Sequence, residues 1–235
     1  MTLQAVIFDC DGVLVDTEPL HYKAFQEVLV PLGLGFDYDQ YLERYIGFDD
    51  RDAFLEAFDE AGRPITPEEL TALVEAKGKA LLRILAGGIT TFPGVVECVR
   101  GLAARGVPLA VASGALKHEV LAFIEALGLA GVFSVVVTAD EVKRSKPDPE
   151  SYMAALERIR RSFGLNGLDP SQCVAIEDTP AGIQSARGAG LTVVAVTNSF
   201  PREYLSEADH VLDNLSRLDF TQLSKIVAAA DASDG

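Results

Sequence analysis

Residues 5–12 read Ala5-Val6-Ile7-Phe8-Asp9-Cys10-Asp11-Gly12, an apolar run that passes directly into two carboxylates and a glycine. Four consecutive apolar residues bounded by polar ones suit a strand buried on both faces. Side chains alternate along an extended chain, so Asp9 and Asp11 are expected on one side and Cys10, read as packing, on the other. Carboxylates this close repel, which raises a pKa or recruits a cation. Such a pair suits one acid as nucleophile or metal ligand and the other as proton carrier. Alone, the same four residues favour a polar turn in which Gly12 supplies a special backbone angle.

Similar short runs rich in Val, Ile or Ala occur at residues 108–112, 132–137, 173–176 and 192–196, with helical stretches between them. This alternation predicts an α/β fold, a Rossmann-like parallel sheet with helices on both faces, whose strand ends gather the polar clusters into one site. Residues 17–88 carry only helical patterns. They include Thr66-Pro67-Glu68-Glu69, where Thr66 can cap, Pro67 can take the first helical position and Glu69 can close a capping box. The expected organisation is a core domain of residues 1–16 and 89–235, interrupted after its first strand by an all-helical domain of residues 17–88. Gly87-Gly88 and Phe92-Pro93-Gly94 mark the return to the core, and the polar residues 231–235 are expected to fray.

At 235 residues and 49% hydrophobic content the chain can bury a substantial core. Twenty Lys and Arg against 35 Asp and Glu leave a net charge of −15, which argues against a broad nucleic-acid-binding or anionic-membrane surface. An anionic substrate therefore needs a local cationic site. No apolar run is long enough to span a membrane, and MTLQAVIFD lacks a basic segment followed by a long apolar stretch, so a cytoplasmic location is expected. Cys10, Cys98 and Cys173 are widely spaced and suggest neither a disulfide framework nor a zinc site. Nothing in the sequence dictates an oligomeric state.

Each further polar cluster follows an apolar run. Ser113-Gly114-Ala115 offers a hydroxyl and close-approaching amides suited to a phosphate oxyanion. Lys146-Pro147-Asp148-Pro149 adds a cation on extended backbone. Glu177-Asp178-Thr179-Pro180 supplies hard oxygen donors suited to Mg²⁺, followed by a helix cap. Singly, each cluster has a structural explanation. Jointly, they assemble nucleophile, acid, hydroxyl, cation and metal carboxylates.

In that order the sequence resembles the haloacid dehalogenase superfamily of phosphohydrolases: Asp9-Cys10-Asp11-Gly12-Val13, then Ser113, then Lys146, then Glu177-Asp178. The resemblance covers essentially the whole chain. It implies that Asp9 attacks phosphorus to give an aspartyl-phosphate, and that Asp11 protonates the leaving oxygen and then deprotonates the acceptor. Ser113 and Lys146 would hold the phosphoryl group. Mg²⁺ would be held by the Asp9 carboxylate, the Asp11 backbone carbonyl and Asp178, with Glu177 in the inner or outer sphere.

The helical insertion resembles the cap of the branch that contains β-phosphoglucomutase, phosphoglycolate phosphatase and sugar-phosphate phosphatases. Within residues 67–85 the stripe Leu70, Leu73, Val74, Leu81, Ile84 and Leu85 includes Lys77, which either snorkels to the surface or reaches a substrate. His21 shares a face with Ala24, Phe25 and Val28 and aligns with a mutase histidine; it is either a substrate contact or a core histidine with one hydrogen bond.

The expected activity is hydrolysis of a small phosphorylated metabolite. A phosphomutase of the β-phosphoglucomutase type is the alternative, and a phospho-accepting signalling module the third. Mutases carry Ser-Ala-Ser-Lys-Asn at the second motif, where this chain has Ser113-Gly114-Ala115-Leu116-Lys117. Their Gly-x-x-Arg becomes Gly47-Phe48-Asp49-Asp50-Arg51 here, which displaces the arginine by one position. A second phosphate site would have to be rebuilt from Arg51 or Lys117. A signalling module needs neither the Asp11 proton carrier nor a large cap.

Overall fold

The apolar runs become strands β1 (Ala5–Phe8), β2 (Leu109–Ala112), β3 (Val135–Val137), β4 (Cys173–Glu177) and β5 (Thr192–Val196), joined by β6 (His210–Leu212). The structure, a computed structural model, describes residues 3–45 and 48–233. All six strands are parallel, in the order β3-β2-β1-β4-β5-β6. Phe8 pairs with Val111 on one side and Ile176 on the other. The carboxyl ends of the three central strands therefore lie level, and the polar residues just beyond them are brought side by side.

Two strands are shorter than the sequence suggests. Pro108 has no N–H for the ladder and contributes only its carbonyl, to the Val6 amide at 3.0 Å. Val132 is held in a turn by the Leu129 carbonyl, so β3 begins three residues later. Strand β6 is a three-residue, partly exposed edge strand with no apolar run to betray it.

The chain divides into two units, residues 1–16 with 90–235, and residues 17–89. In the larger unit the helices are α5 (Val95–Ala103), α6 (Lys117–Ala126), α7 (Glu150–Phe163), α8 (Pro180–Gly188) and α9 (Phe220–Ser233). Helix α7 buries Tyr152, Ala155, Leu156 and Ile159, one helical stripe, in a core with Ala5, Ile7, Ala110, Ala175 and Val193. Each large apolar side chain so buried contributes about 1.5–3 kcal/mol. Residues 231–233 continue α9 rather than fraying, and 234–235 lie outside the described residues.

The smaller unit holds α1 (Glu18–Leu29), α2 (Tyr38–Arg44), α3 (Asp50–Glu60) and α4 (Pro67–Leu85) around Phe25, Leu29, Tyr41, Phe54, Phe58 and Leu70. Helix α4 starts as its sequence demands. The Thr66 hydroxyl accepts the Glu69 amide at 3.2 Å, and the Glu69 carboxylate accepts the Thr66 amide at 2.9 Å. No described helix is long and apolar enough to cross a membrane.

Candidate active site

Asp9 leaves β1 with its amide donating to the Ile176 carbonyl of β4 at 2.9 Å, which sets it beside Glu177. The next residues turn sharply. Gly12 has φ +74°, and a Cβ there would lie 1.8 Å from Asp178 Oδ2, so both its backbone angle and its neighbour require glycine. Cys10 is buried as expected of packing, and burial first, then Asp11 and Asp9, push its thiol pKa well up.

The charged groups converge at the strand ends. Lys146 Nζ lies 2.9 Å from Asp9 Oδ1 and 2.6 Å from Glu177 Oε1. Asp9, Glu177 and Asp178 are all buried, and one oxygen of each lies within 4.8 Å of the others. Ser113, buried after β2, donates towards Asp11 Oδ2 at 3.4 Å and accepts the Ala115 amide at 3.0 Å. One site thus gathers Asp9, Asp11, Ser113, Lys146, Glu177 and Asp178, with Gly114 exposed beside Ser113.

Four carboxylates, Asp9, Asp11, Glu177 and Asp178, against one ammonium make an electrostatically loaded cluster. Burial, helped by Glu177 and Asp11 and opposed by Lys146, pushes Asp9 up to about 7. Asp178 is raised well above the carboxylate range by burial and then by Asp9 and Glu177. Burial alone would lower Lys146, but Asp9 and Glu177 outweigh it and the net shift is upward. Asp178 Oδ1 is buried with no hydrogen-bond partner. An orphaned oxygen in a cluster short of positive charge, built of hard donors, fits a divalent cation such as Mg²⁺.

Glu177 is held differently. Its Oε1 accepts from Lys146 and from the Tyr152 hydroxyl at 2.7 Å, and its Oε2 from the Asp178 amide at 3.1 Å and the Thr179 hydroxyl at 3.3 Å. A carboxylate offers about four lone-pair positions, and these four donors take them. Thr179 also accepts the Gly182 amide at 3.0 Å and so caps α8.

Tyr152, Asn198 and Ser199 escape a reading of the sequence. Tyr152 sits in an apolar helical stripe and looks like packing. Asn198 and Ser199 follow the apolar run of β5, the same signal that marked Ser113, but without a familiar pattern to single them out.

The remaining candidates lie elsewhere in the chain. Lys117 opens α6, its amide bonded to Asp140 at 3.1 Å and its ammonium 3.4 Å from Glu141. In the helical unit Lys77 does not snorkel. It is fully buried, with Nζ 2.5 Å from Asp50 Oδ1, 2.6 Å from His21 Nδ1 and 5.0 Å from the Phe25 ring. A buried ammonium requires such partners. Burial first, then Lys77, lower the pKa of His21 well below the ordinary histidine value, so neutral Nδ1 can accept from the ammonium. Arg51 is exposed on α3, and Gly47 lies outside the described residues.

Known proteins share this frame. A family model for haloacid dehalogenase-like hydrolases matches residues 6–196. The CbbY protein of Rhodobacter capsulatus is 34% identical over 226 residues, covering 92% of this chain and 95% of the relative. Fructose-1-phosphate phosphatase YqaB of Escherichia coli K12 is 34% identical over 193 residues, 81% of this chain and 95% of that protein. The crystal structure of a CbbY mutant from Rhodobacter sphaeroides, in complex with xylulose-(1,5)bisphosphate, superposes with a TM-score of 0.82 at 27% identity, covering 95% of this chain and all of that one.

Proposed function

Because the chain belongs to the haloacid dehalogenase-like hydrolase family and is a phosphohydrolase, we propose that it is a Mg²⁺-dependent phosphatase acting through a phosphoryl group carried on Asp9. Its substrate is a small phosphorylated metabolite, a sugar phosphate or a related monoester. The observation that carries this is the buried Asp9 carboxylate, aligned by Lys146 at 2.9 Å beside Asp178, whose buried Oδ1 has no hydrogen-bond partner and suits a cation.

In the first step an Asp9 oxygen attacks phosphorus and the bond to the leaving oxygen breaks, with Asp11 giving that oxygen its proton. In the second, Asp11 takes a proton from water as the water oxygen attacks phosphorus, and the bond to Asp9 breaks to release inorganic phosphate. Ser113, Gly114 and Lys146 orient the phosphoryl oxygens throughout. Asp9, Asp178 and the Asp11 backbone carbonyl would hold Mg²⁺, which supplies charge neutralisation to the phosphoryl group in flight. Glu177, its oxygens occupied by Lys146, Tyr152, Thr179 and a backbone amide, supports the site as an anion that anchors Lys146.

Substrate selection is assigned to the helical unit acting as a cap, with His21, Lys77 and Arg51 as its selecting residues. A mutase would need a distant phosphate site. The ammonium of Lys117, the cation nearest in sequence to the second motif, is paired with Glu141, which favours water as the acceptor.

Phosphorus NMR of hexose and pentose phosphates incubated with enzyme and Mg²⁺ tests the proposal. Free phosphate is the expected product, without a bisphosphate activator and with loss of activity on chelation. Accumulation of a positional isomer of the sugar phosphate would establish the mutase instead. Full turnover by Asp9→Asn would remove Asp9 from the mechanism.

A further inference from the structure

The loop after β5 carries two side chains that reach the catalytic elements but take no part in the phosphoryl transfer itself. Asn198 Nδ2 donates to the carbonyl of Gly12, in the turn that succeeds Asp9 and Asp11, at 2.7 Å. Its neighbour Ser199 donates its hydroxyl proton to Asp178 Oδ2. The loop is itself anchored on both sides: the Thr197 amide donates to the Leu212 carbonyl of β6 at 3.0 Å, and Phe200 packs against the core of the larger unit. A Cβ on Gly12 would come within 2.7 Å of Ser199 Oγ as well as meeting Asp178, so three separate chain segments close on one point.

We propose that Ser199 is a positioning residue for the metal, fixing Asp178 as a single-oxygen ligand, and that Asn198 ties the first-motif turn to the same loop. With Oδ2 occupied by Ser199, the oxygen that remains is Oδ1, and it is buried and without a partner. The carboxylate is thus oriented before a cation arrives, and only one of its oxygens is offered. Without Ser199 the group is free to rotate, and both the ordering and the choice of oxygen are lost. Groups that orient a metal ligand typically account for about 10–100-fold in affinity. This inference rests on the Mg²⁺ site of the proposed function, and direct titration of the metal separates the failure of one from the failure of the other.

Isothermal titration of Mg²⁺ into metal-stripped wild type, Ser199→Ala, Ser199→Thr, Asn198→Ala and Asp178→Asn reads the metal directly, without turnover. Asp178→Asn, which loses the ligand itself, is expected to bind no Mg²⁺ measurably. Ser199→Ala is expected to bind at least about 10-fold more weakly than wild type. Its metal-free melting temperature should fall by about 10 °C or less, the cost of one lost hydrogen bond, and Ser199→Thr, which keeps the hydroxyl, should recover most of both the affinity and the stability. Asn198→Ala should weaken binding by less than Ser199→Ala, because it relaxes the turn rather than the ligand. Wild-type affinity in Ser199→Ala, with wild type itself binding Mg²⁺, overturns the role of Ser199 and leaves the metal site standing. A fall in affinity that Ser199→Thr does not recover also overturns it, in favour of a packing role. Failure of wild type to bind Mg²⁺ removes the metal site and this inference together.

Discussion

Replacing Gly182 by alanine sets helix propensity against sterics, and the structure states which prevails. Gly182 lies in the first turn of α8. Its φ is not in the left-handed range, so alanine is compatible with the backbone, and in a helix alanine is favoured over glycine by about 1 kcal/mol. A Cβ at this position, however, would lie 2.0 Å from both Cδ and Oε2 of Glu177 and 2.1 Å from Oε1, where ordinary contact begins at 3.4 Å. The carboxylate would have to retreat by more than an ångström. It is fully buried and bound to Lys146, Tyr152, Thr179 and the Asp178 amide, and a movement of that size breaks at least two of these bonds. Hydrogen bonds to a charged group are worth about 1.5–3 kcal/mol each, so the loss exceeds the helical gain several-fold and leaves a net destabilisation of about 2–5 kcal/mol. For a chain of this size that lowers Tm by on the order of 10 °C. Because Glu177 anchors Lys146, misplacement should also lower kcat/KM by roughly 100-fold. Thermal unfolding by circular dichroism and a phosphate-release assay read the two effects. A variant as stable as wild type, or more so, with full activity would refute the placement of Glu177 against α8.

Asp11→Asn should lose roughly 100-fold or more in turnover of an alkyl phosphate and much less with p-nitrophenyl phosphate, whose leaving group needs no proton; equal losses in a side-by-side rate comparison would count against proton transfer. Lys77→Ala should destabilise the helical unit by about 3 kcal/mol in urea titrations, because it opens a cavity and removes the ammonium that pairs with Asp50 and bonds His21. Adding Asp50→Leu to Lys77→Met should recover part of what Lys77→Met loses, and a strictly additive double mutant would argue against a buried pair. His21 has a lowered pKa in the folded chain, so the unfolded chain binds its proton first. The contribution of His21 should therefore fall as pH drops below about 6.5, by up to about 1.4 kcal/mol per pH unit, while Asp9, raised to about 7, contributes the opposite slope in both proteins. His21→Asn, which keeps an acceptor for Lys77 but does not titrate, should thus gain stability relative to wild type as unfolding titrations go from about pH 8 to 5.5.

Much of the fold was legible because its signals are local. An apolar run of four or five residues ending in acids is visible without knowing what covers it, and so is the box that starts α4 at Thr66 and Glu69. Strand β6 was not legible, since three partly exposed edge residues gain their hydrogen bonds only from a neighbour distant in sequence. Lys77 marks the boundary between the two kinds of information. Its place in an apolar stripe shows that the charge needs a reason, whereas the reason, Asp50 and His21, lies 27 and 56 residues away.

The catalytic carboxylates obey the same division. Sequence alone determined that Asp9, Asp11, Ser113, Glu177 and Asp178 each end an apolar run or stand just beyond one, with Lys146 farther along the loop after β3, and parallel strands bring such ends together whatever the details of packing. Tertiary structure alone decided what each acid is free to do. Glu177 is saturated by Lys146, Tyr152, Thr179 and a backbone amide, while Asp178 is clasped on one oxygen by Ser199 and left open on the other. The physical reason is that a side chain's residue type sets which hydrogen bonds and charges it can offer, but only the groups packed around it decide which of those are already taken.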